Sequence, residues 1–393
     1  MATTHAPPSP TPFGADDLLA TPRRVLRAFD RLLTGRFWIV VVVGLATAIS
    51  LFTAFPTYDK FEPGSKDWKA IERLSEHPFD QKGLDANKDR AYNFTFRAAV
   101  PLAGRALGLG PWGYLVLQGM AGLGMFAAAA HLVDRLTRNR RLGALVAIAI
   151  GLMWAGSGAF VELRGNFDAV AIALLVAAMA TRRVPLVVLC TFLAGWTDER
   201  ALPAIAFVVL FHHVVESREL GVAKALREPR CLAAAAGLAL HVVTRVIVSV
   251  AMDVHQPSNL GLEYVKAQLS ILPVGAWTGL EGFWLFVLVG AVALWKVRQR
   301  FLALAYAGLV AVVCVGSIAV VDVTRSMAYL LPAALAGLGL IHRLCQPKVL
   351  RASIYAAVAL TAAWPVYYAG GAFTLYWQYP LPLVIVRRLA GIG

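Results

Sequence analysis

Residues 184–215 read VPLVVLCTFLAGWTDERALPAIAFVVLFHHVV. Two apolar runs, 184–197 and 201–215, meet at the polar turn Asp198-Glu199-Arg200. Each run is only about 20–22 Å long at a rise of 1.5 Å per residue. Read as one crossing, they would send every later basic loop to the opposite side of a membrane. Read as two short helices, they leave the Trp196–Arg200 turn recessed below the surface, lining a cavity, because polar backbone at membrane depth is tolerated only against protein or water.

The second reading fits the rest of the chain. Of 393 residues, 59% are hydrophobic and 15% charged, which describes a polytopic membrane protein and not a soluble domain. The fold class expected is all-α, with about eleven membrane helices, since a crossing takes about 20 residues. The apolar runs lie near 37–55, 111–133, 143–161, 168–180, 184–197, 201–215, 231–250, 279–295, 301–320, 326–342 and 352–370. Residues 1–36 form a cytoplasmic tail and 37–393 a single transmembrane domain, with 56–110 an extracytoplasmic loop bearing interfacial helices. The tail's first 15 residues are too rich in Pro, Thr and Ala to fold. From Thr21 onward, Val25, Leu26, Phe29, Leu32 and Leu33 recur opposite Arg23, Arg24, Arg27 and Arg31, the pattern of a basic amphipathic helix on the inner leaflet.

Alternating these spans with the N-terminus inside collects the basic clusters at 134–141, 181–183, 216–230, 296–300 and 342–351 on the cytoplasmic face. With the tail they hold 21 Lys/Arg against 7 Asp/Glu, the whole formal net charge of +14. The positive-inside rule fixes the orientation, and the charge speaks for contact with anionic membrane lipids, not nucleic acid. Short loops and the lack of a targeting signal place the chain in a bacterial inner membrane. Cys190, Cys231, Cys314 and Cys345 have no paired spacing and imply neither a disulfide nor a zinc site.

The longest polar run follows the first span: PTYDKFEPGSKDWKAIERLSEHPFDQKGLDANKDRAY, residues 56–92. Its eight acids are nearly offset by seven Lys and Arg. Trp68, Ile71 and Leu74 mark a helix suited to the outer interface, and 94–110 reads as an interfacial or re-entrant helix. Asp59 stands four residues beyond the apolar run, tethered near the surface, where a carboxylate can act as general base; Glu62 and Asp67 are the runners-up. Other charged turns fall on the same face: Arg164 with Asp168, Asp198 with Glu199 and Arg200, His255, and Asp322 with Arg325. Ionisable groups at membrane boundaries are costly unless paired or solvated, so the set points to one polar cavity. Arg200 and Arg325, then Arg97 and Arg164, are the candidates to neutralise a lipid phosphate, because a guanidinium offers a planar fork of donors. The aromatic tail at 373–388 reads as an interface belt, its end as an incomplete crossing.

These features resemble the GT-C superfamily of polytopic glycosyltransferases: many spans, a long first outer loop with an acid soon after the first helix, and smaller outer loops around a membrane cavity. Asp59 in Tyr-Asp-Lys-Phe-Glu (58–62) is the residue that matches the family's first-loop acid. The resemblance implies sugar transfer from a polyprenyl-phosphate donor to a lipid or glycan acceptor. The loop carries Asp-x-x-Glu where some members have Asp-x-Asp, which leaves a divalent metal as an open cofactor. The competing expectation is a transporter or lipid flippase, against which the sequence offers few mid-membrane carboxylates.

Overall fold

A computed structural model describes residues 27–85, 89–216, 227–255, 261–370 and 374–392. The expected unfolded start of the tail lies outside them, as do parts of the 216–230 and 252–273 loops. Residues 27–34 are helical. The chain then runs α1 (Trp38–Thr53), α2 (Lys66–Glu76), α3 (Ala99–Ala106), α4 (Pro111–Thr137), α5 (Arg140–Leu152), α6 (Trp154–Val161), α7 (Asp168–Ala180), α8 (Val184–Thr197) and α9 (Ala201–Glu216). It continues through α10 (Pro229–Met252), α11 (Leu262–Gln268), α12 (Leu272–Leu280), α13 (Trp284–Lys296), α14 (Arg300–Ile318), α15 (Val323–Met327), α16 (Leu331–Leu344) and α17 (Pro347–Ala362). A two-stranded antiparallel hairpin, β1 (Tyr367–Gly370) and β2 (Thr374–Trp377), and a last helix, α18 (Leu381–Leu389), complete it.

Apart from this hairpin, the described residues show the helical class expected from composition. Five stretches are long and apolar enough to cross a membrane: α4, α10, α12 with α13, α14, and α15 with α16. The pair α5 and α6, bent by 57°, makes a sixth if taken as one. The apolar helices α1, α7, α8 and α9 are shorter. Local chemistry marks many helix starts: Pro sits in the first turn of α4, α8, α10, α12, α16 and α17, where its missing N–H costs nothing. Asn139 caps α5 by accepting the Leu142 N–H at 3.2 Å.

Helix α16 is the hub of the bundle, buried from Leu331 to Ile341 and packed between α9 and α13. Gly290 and Gly337 let α13 and α16 touch, since a methyl on Gly290 would lie 2.9 Å from Gly337 Cα.

The bundle has two chemically distinct ends. At one, arginines cap backbone carbonyls of neighbouring helices: Arg140 donates to Leu33 O at 3.0 Å, Arg135 to Ala180 O at 2.5 Å, and Arg343 to Val214 O. The same end also holds the pairs Arg141–Asp30 and Arg230–Glu228. The other end carries a larger network of guanidinium groups and carboxylates.

Three expectations need correction. The Trp68 side chain does not face outward; it is 3% exposed, donates its indole N–H to Leu163 O at 2.9 Å, and packs with Phe61, Tyr114 and Phe167. Ile71 and Leu74 join the same cluster, so α2 folds down onto the turn before α7. Within 94–110 only α3 is helical before α4 begins, with Tyr114 O–H bonded to Pro101 O at 3.1 Å. The aromatic tail forms the hairpin and the nine-residue α18, which is too short for a crossing.

Candidate functional site

At the end that carries the larger charge network the bundle opens into a cavity of about 1170 Å³. Its polar floor comes from the first outer loop and from the helix ends around α7, α9 and α15. Val312, Val313 and Gly316 of α14, with Val320 just beyond its end, make one wall apolar. That helix packs on α13, α15 and α9, whereas α10 across the cavity packs on α8 and α9. Of α10, Arg245 is the described residue that lines the cavity.

The floor is a ladder of alternating charges. Arg97 grips Glu199 through Nε at 3.0 Å and Nη2 at 2.6 Å, and its Nη1 lies 3.1 Å from Asp198 Oδ2. Arg200 donates to Asp198 through Nε at 2.9 Å and Nη2 at 2.6 Å, and also to Asp168 Oδ1. Arg325 donates from Nε to Asp168 Oδ2 and from Nη1 to Asp322 Oδ2, both at 2.6 Å. Tyr368 O–H closes the chain on Asp322 Oδ1 at 2.8 Å. Three cations and four carboxylates from the turn before α3, the α8–α9 turn, the start of α7 and the start of α15 thus share one network.

Short helices explain how it assembles. Because α7, α8 and α9 stop early, Asp168 at the first position of α7 and Asp198 at the end of α8 sit recessed, where Asp198 is wholly buried. Burial resists charging Asp198, but the Arg200 and Arg97 guanidiniums outweigh it and hold its carboxyl well below the ordinary carboxylate range. For Arg200 burial acts against the charge, and Asp168 and Asp198 reverse it, raising its pKa well above the usual value.

The sequence candidates therefore divide. Arg97, Arg200 and Arg325 all reach the cavity, yet each is held by carboxylates. Arg164 is an exposed lining residue; its own N–H donates to Glu162 Oε1 at 2.7 Å. Glu199 and Asp322 line the cavity, and Asp168 and Asp198 lie in the network beneath. Glu62 lines the cavity and is exposed. Asp59 is placed differently: it is not among the described lining residues, and its Oδ1 lies 2.9 Å from Arg388 Nη2 of α18. His255 also lies apart, its ring 3.6 Å from Asp253 and its backbone paired with Gln81, which takes the His255 N–H at 2.9 Å and donates to its carbonyl at 2.6 Å.

Several residues were not legible as site residues. Lys60, Arg90, Trp154, Tyr368, Tyr376 and Gln378 all line the cavity. Arg90 is bonded to Asp67 and Asn166, and burial lowers its pKa. Arg245 of α10, notable in sequence as a charge inside a span, stacks 4.2 Å over Phe96 at the cavity edge. Among the described residues, no group of three or more His, Cys, Asp or Glu side chains is placed to hold a metal. The network carboxylates are instead taken up by guanidinium groups, so the residues present do not fit a divalent-metal site.

No family model, curated protein or solved structure matches this chain.

Proposed function

We propose that the chain is a membrane glycosyltransferase that takes a polyprenyl-phosphate-linked sugar into this cavity and transfers the sugar to a hydroxyl of a lipid or glycan acceptor. The observation that carries the reading is the cavity's two-sided character. An apolar wall on α14 faces a floor of fixed charges, the complement of a ligand with a long apolar chain and an anionic head. The lipid tail lies along the apolar wall of α14, and the phosphate meets Arg164 and Lys60, lining cations for which the described residues show no carboxylate partner. Two first-loop acids, Glu62 and Asp67, line the cavity; Asp67 is paired with Arg90, so Glu62 takes the place of Asp59 as the general base. It accepts the acceptor hydroxyl proton as that oxygen bonds to the anomeric carbon, and the bond to phosphate breaks with its electron pair leaving on the lipid phosphate. The charge ladder takes no proton; it fixes the floor, since each guanidinium is held from two sides.

In this reading α1, the bent pair α5–α6, α7, α8, α9 and α17 complete eleven crossings with the five longer stretches. The N-terminus is cytoplasmic, because the arginine-capped end takes the positive-inside position. The membrane is a bacterial inner membrane.

Transport or flipping of the lipid is the second reading, and one residue favours it. Glu281, inside the α12–α13 stretch, is fully buried with neither carboxylate oxygen hydrogen-bonded. An acid within a span is a functional candidate by default. The two readings separate in one assay. Purified full-length protein in proteoliposomes receives polyprenyl-phosphate sugars radiolabelled in the sugar, together with glycan and lipid acceptors. Transfer produces labelled acceptor and free polyprenyl phosphate. Intact donor appearing in the opposite leaflet, without labelled acceptor, would replace transfer by transport.

A further inference from the structure

The C-terminal hairpin brings a second kind of chemistry to the cavity. Strand pairing sets Tyr368 opposite Tyr376 and Tyr367 opposite Trp377. Side chains alternate across a strand, so these pairs occupy opposite faces. Tyr368, Tyr376 and Gln378 line the cavity. Tyr367 and Trp377, whose rings lie 6.3 Å apart, take the other face. An interface belt accounts for the Trp377 face, but it does not account for tyrosines turned into a polar cavity.

The cavity-side rings are ordered as a stair. Trp154, delivered by the break between α5 and α6, lies 4.6 Å from Tyr368 at 30°. Tyr368 lies 6.2 Å from Tyr376 at 32°. Burial of Trp154 and the Tyr368–Asp322 bond fix the stack from below. Gly370 is what permits this approach, because a Cβ there would come 2.7 Å from Asp322 Oδ1 and 2.8 Å from Tyr368 Oη. The top step, Tyr376, remains 46% exposed.

We infer that Tyr376, backed by Tyr368 and Trp154 in a cavity that Gln378 and Glu162 also line, is a binding subsite for a sugar ring. A sugar has an apolar face of ring C–H groups and a rim of hydroxyls. An exposed aromatic face takes the first, while an amide and a carboxylate accept from the second. A flat apolar ligand would leave those polar partners unused. The assignment of this ring to the donor or the acceptor rests on the proposed transfer reaction; the binding itself does not.

Saturation-transfer NMR tests it, using the full-length chain in lipid nanodiscs free of glycosidic detergent. The probes are methyl hexopyranosides and methyl pentofuranosides. Saturation of the ring C–H protons is expected for at least one glycoside. Tyr376→Ala should lower it about fivefold, the loss of one stacking contact. Tyr376→Phe should retain it, and Gln378→Ala should lower it without disturbing the stack. Equal saturation in wild type and Tyr376→Ala, or none with any glycoside, would overturn the subsite. Its fate is separable from that of the reaction. Tyr376-dependent binding without turnover of polyprenyl-phosphate sugars removes the transferase reading alone, whereas turnover with Tyr376-independent binding removes the subsite alone.

Discussion

Arg325 Nε lies 2.6 Å from Asp168 Oδ2, joining the start of α15 to the start of α7 across 157 residues of chain. Both side chains are almost wholly buried, so the pair is part of the fold before it is part of any ligand site. Taking away one partner of a buried ion pair leaves the other charge uncompensated, at a cost of about 3–5 kcal/mol. Arg325→Ala should therefore lower the thermal unfolding midpoint of the purified protein sharply. A variant as stable as wild type that has lost donor affinity would return Arg325 to the phosphate-binding role.

Asp198 gives the network its pH dependence. Its folded pKa is depressed, so its contribution to stability is fully present above the unfolded value near 4 and is lost as pH falls through the folded one. Asp198→Asn should destabilise the protein throughout the neutral range. The gap from wild type should narrow only below about pH 4. Unfolding followed at pH 7 and at pH 3 measures both gaps, and a constant difference would contradict the assigned ion pairs.

Arg164 is the counterpart of these buried arginines. It is exposed at the cavity and not held by a carboxylate in the ladder. Arg164→Ala should leave stability within about 0.5 kcal/mol of wild type. Losing a hydrogen bond to a charged group should raise the donor KM roughly tenfold or more. Steady-state kinetics with a polyprenyl-phosphate sugar, alongside a melting curve, separates the two effects.

The contact between α13 and α16 predicts a steric effect remote from the cavity. Gly290→Ala places a methyl 2.9 Å from Gly337 Cα, against backbone that cannot rotate away. Overpacking of this kind costs about 1–3 kcal/mol. Chemical denaturation in detergent should show that loss, with the glycoside saturation pattern unchanged.

Much of the site was legible because charges in apolar sequence are informative. Asp168, Asp198, Glu199, Arg200, Asp322 and Arg325 were placed on one face by span alternation alone, and the fold brings all six into one network. What alternation could not give was the pairing. Three arginines expected to await a phosphate are engaged by those acids. Asp59 looked singular because of its short tether to α1, but its partner Arg388 comes from the last helix, a contact no local pattern announces. The hairpin was hidden for a similar reason: aromatic residues near a chain end read as a membrane belt until strand register separates Tyr376 from Trp377. Glu281 was absorbed into an apolar run, because hydropathy does not tell which way a single acid faces.

Glu62 and Asp59 provide the most direct test of the reaction. Glu62 lines the cavity, whereas Asp59 forms a surface pair with Arg388 of a kind worth at most about 1 kcal/mol. Single-turnover release of polyprenyl phosphate from a labelled donor should be measured for wild type, Glu62→Gln and Asp59→Asn in the same proteoliposomes. The account predicts loss of about a hundredfold or more in Glu62→Gln and near-normal turnover in Asp59→Asn. Normal turnover in Glu62→Gln with loss in Asp59→Asn would contradict it and return the base to Asp59.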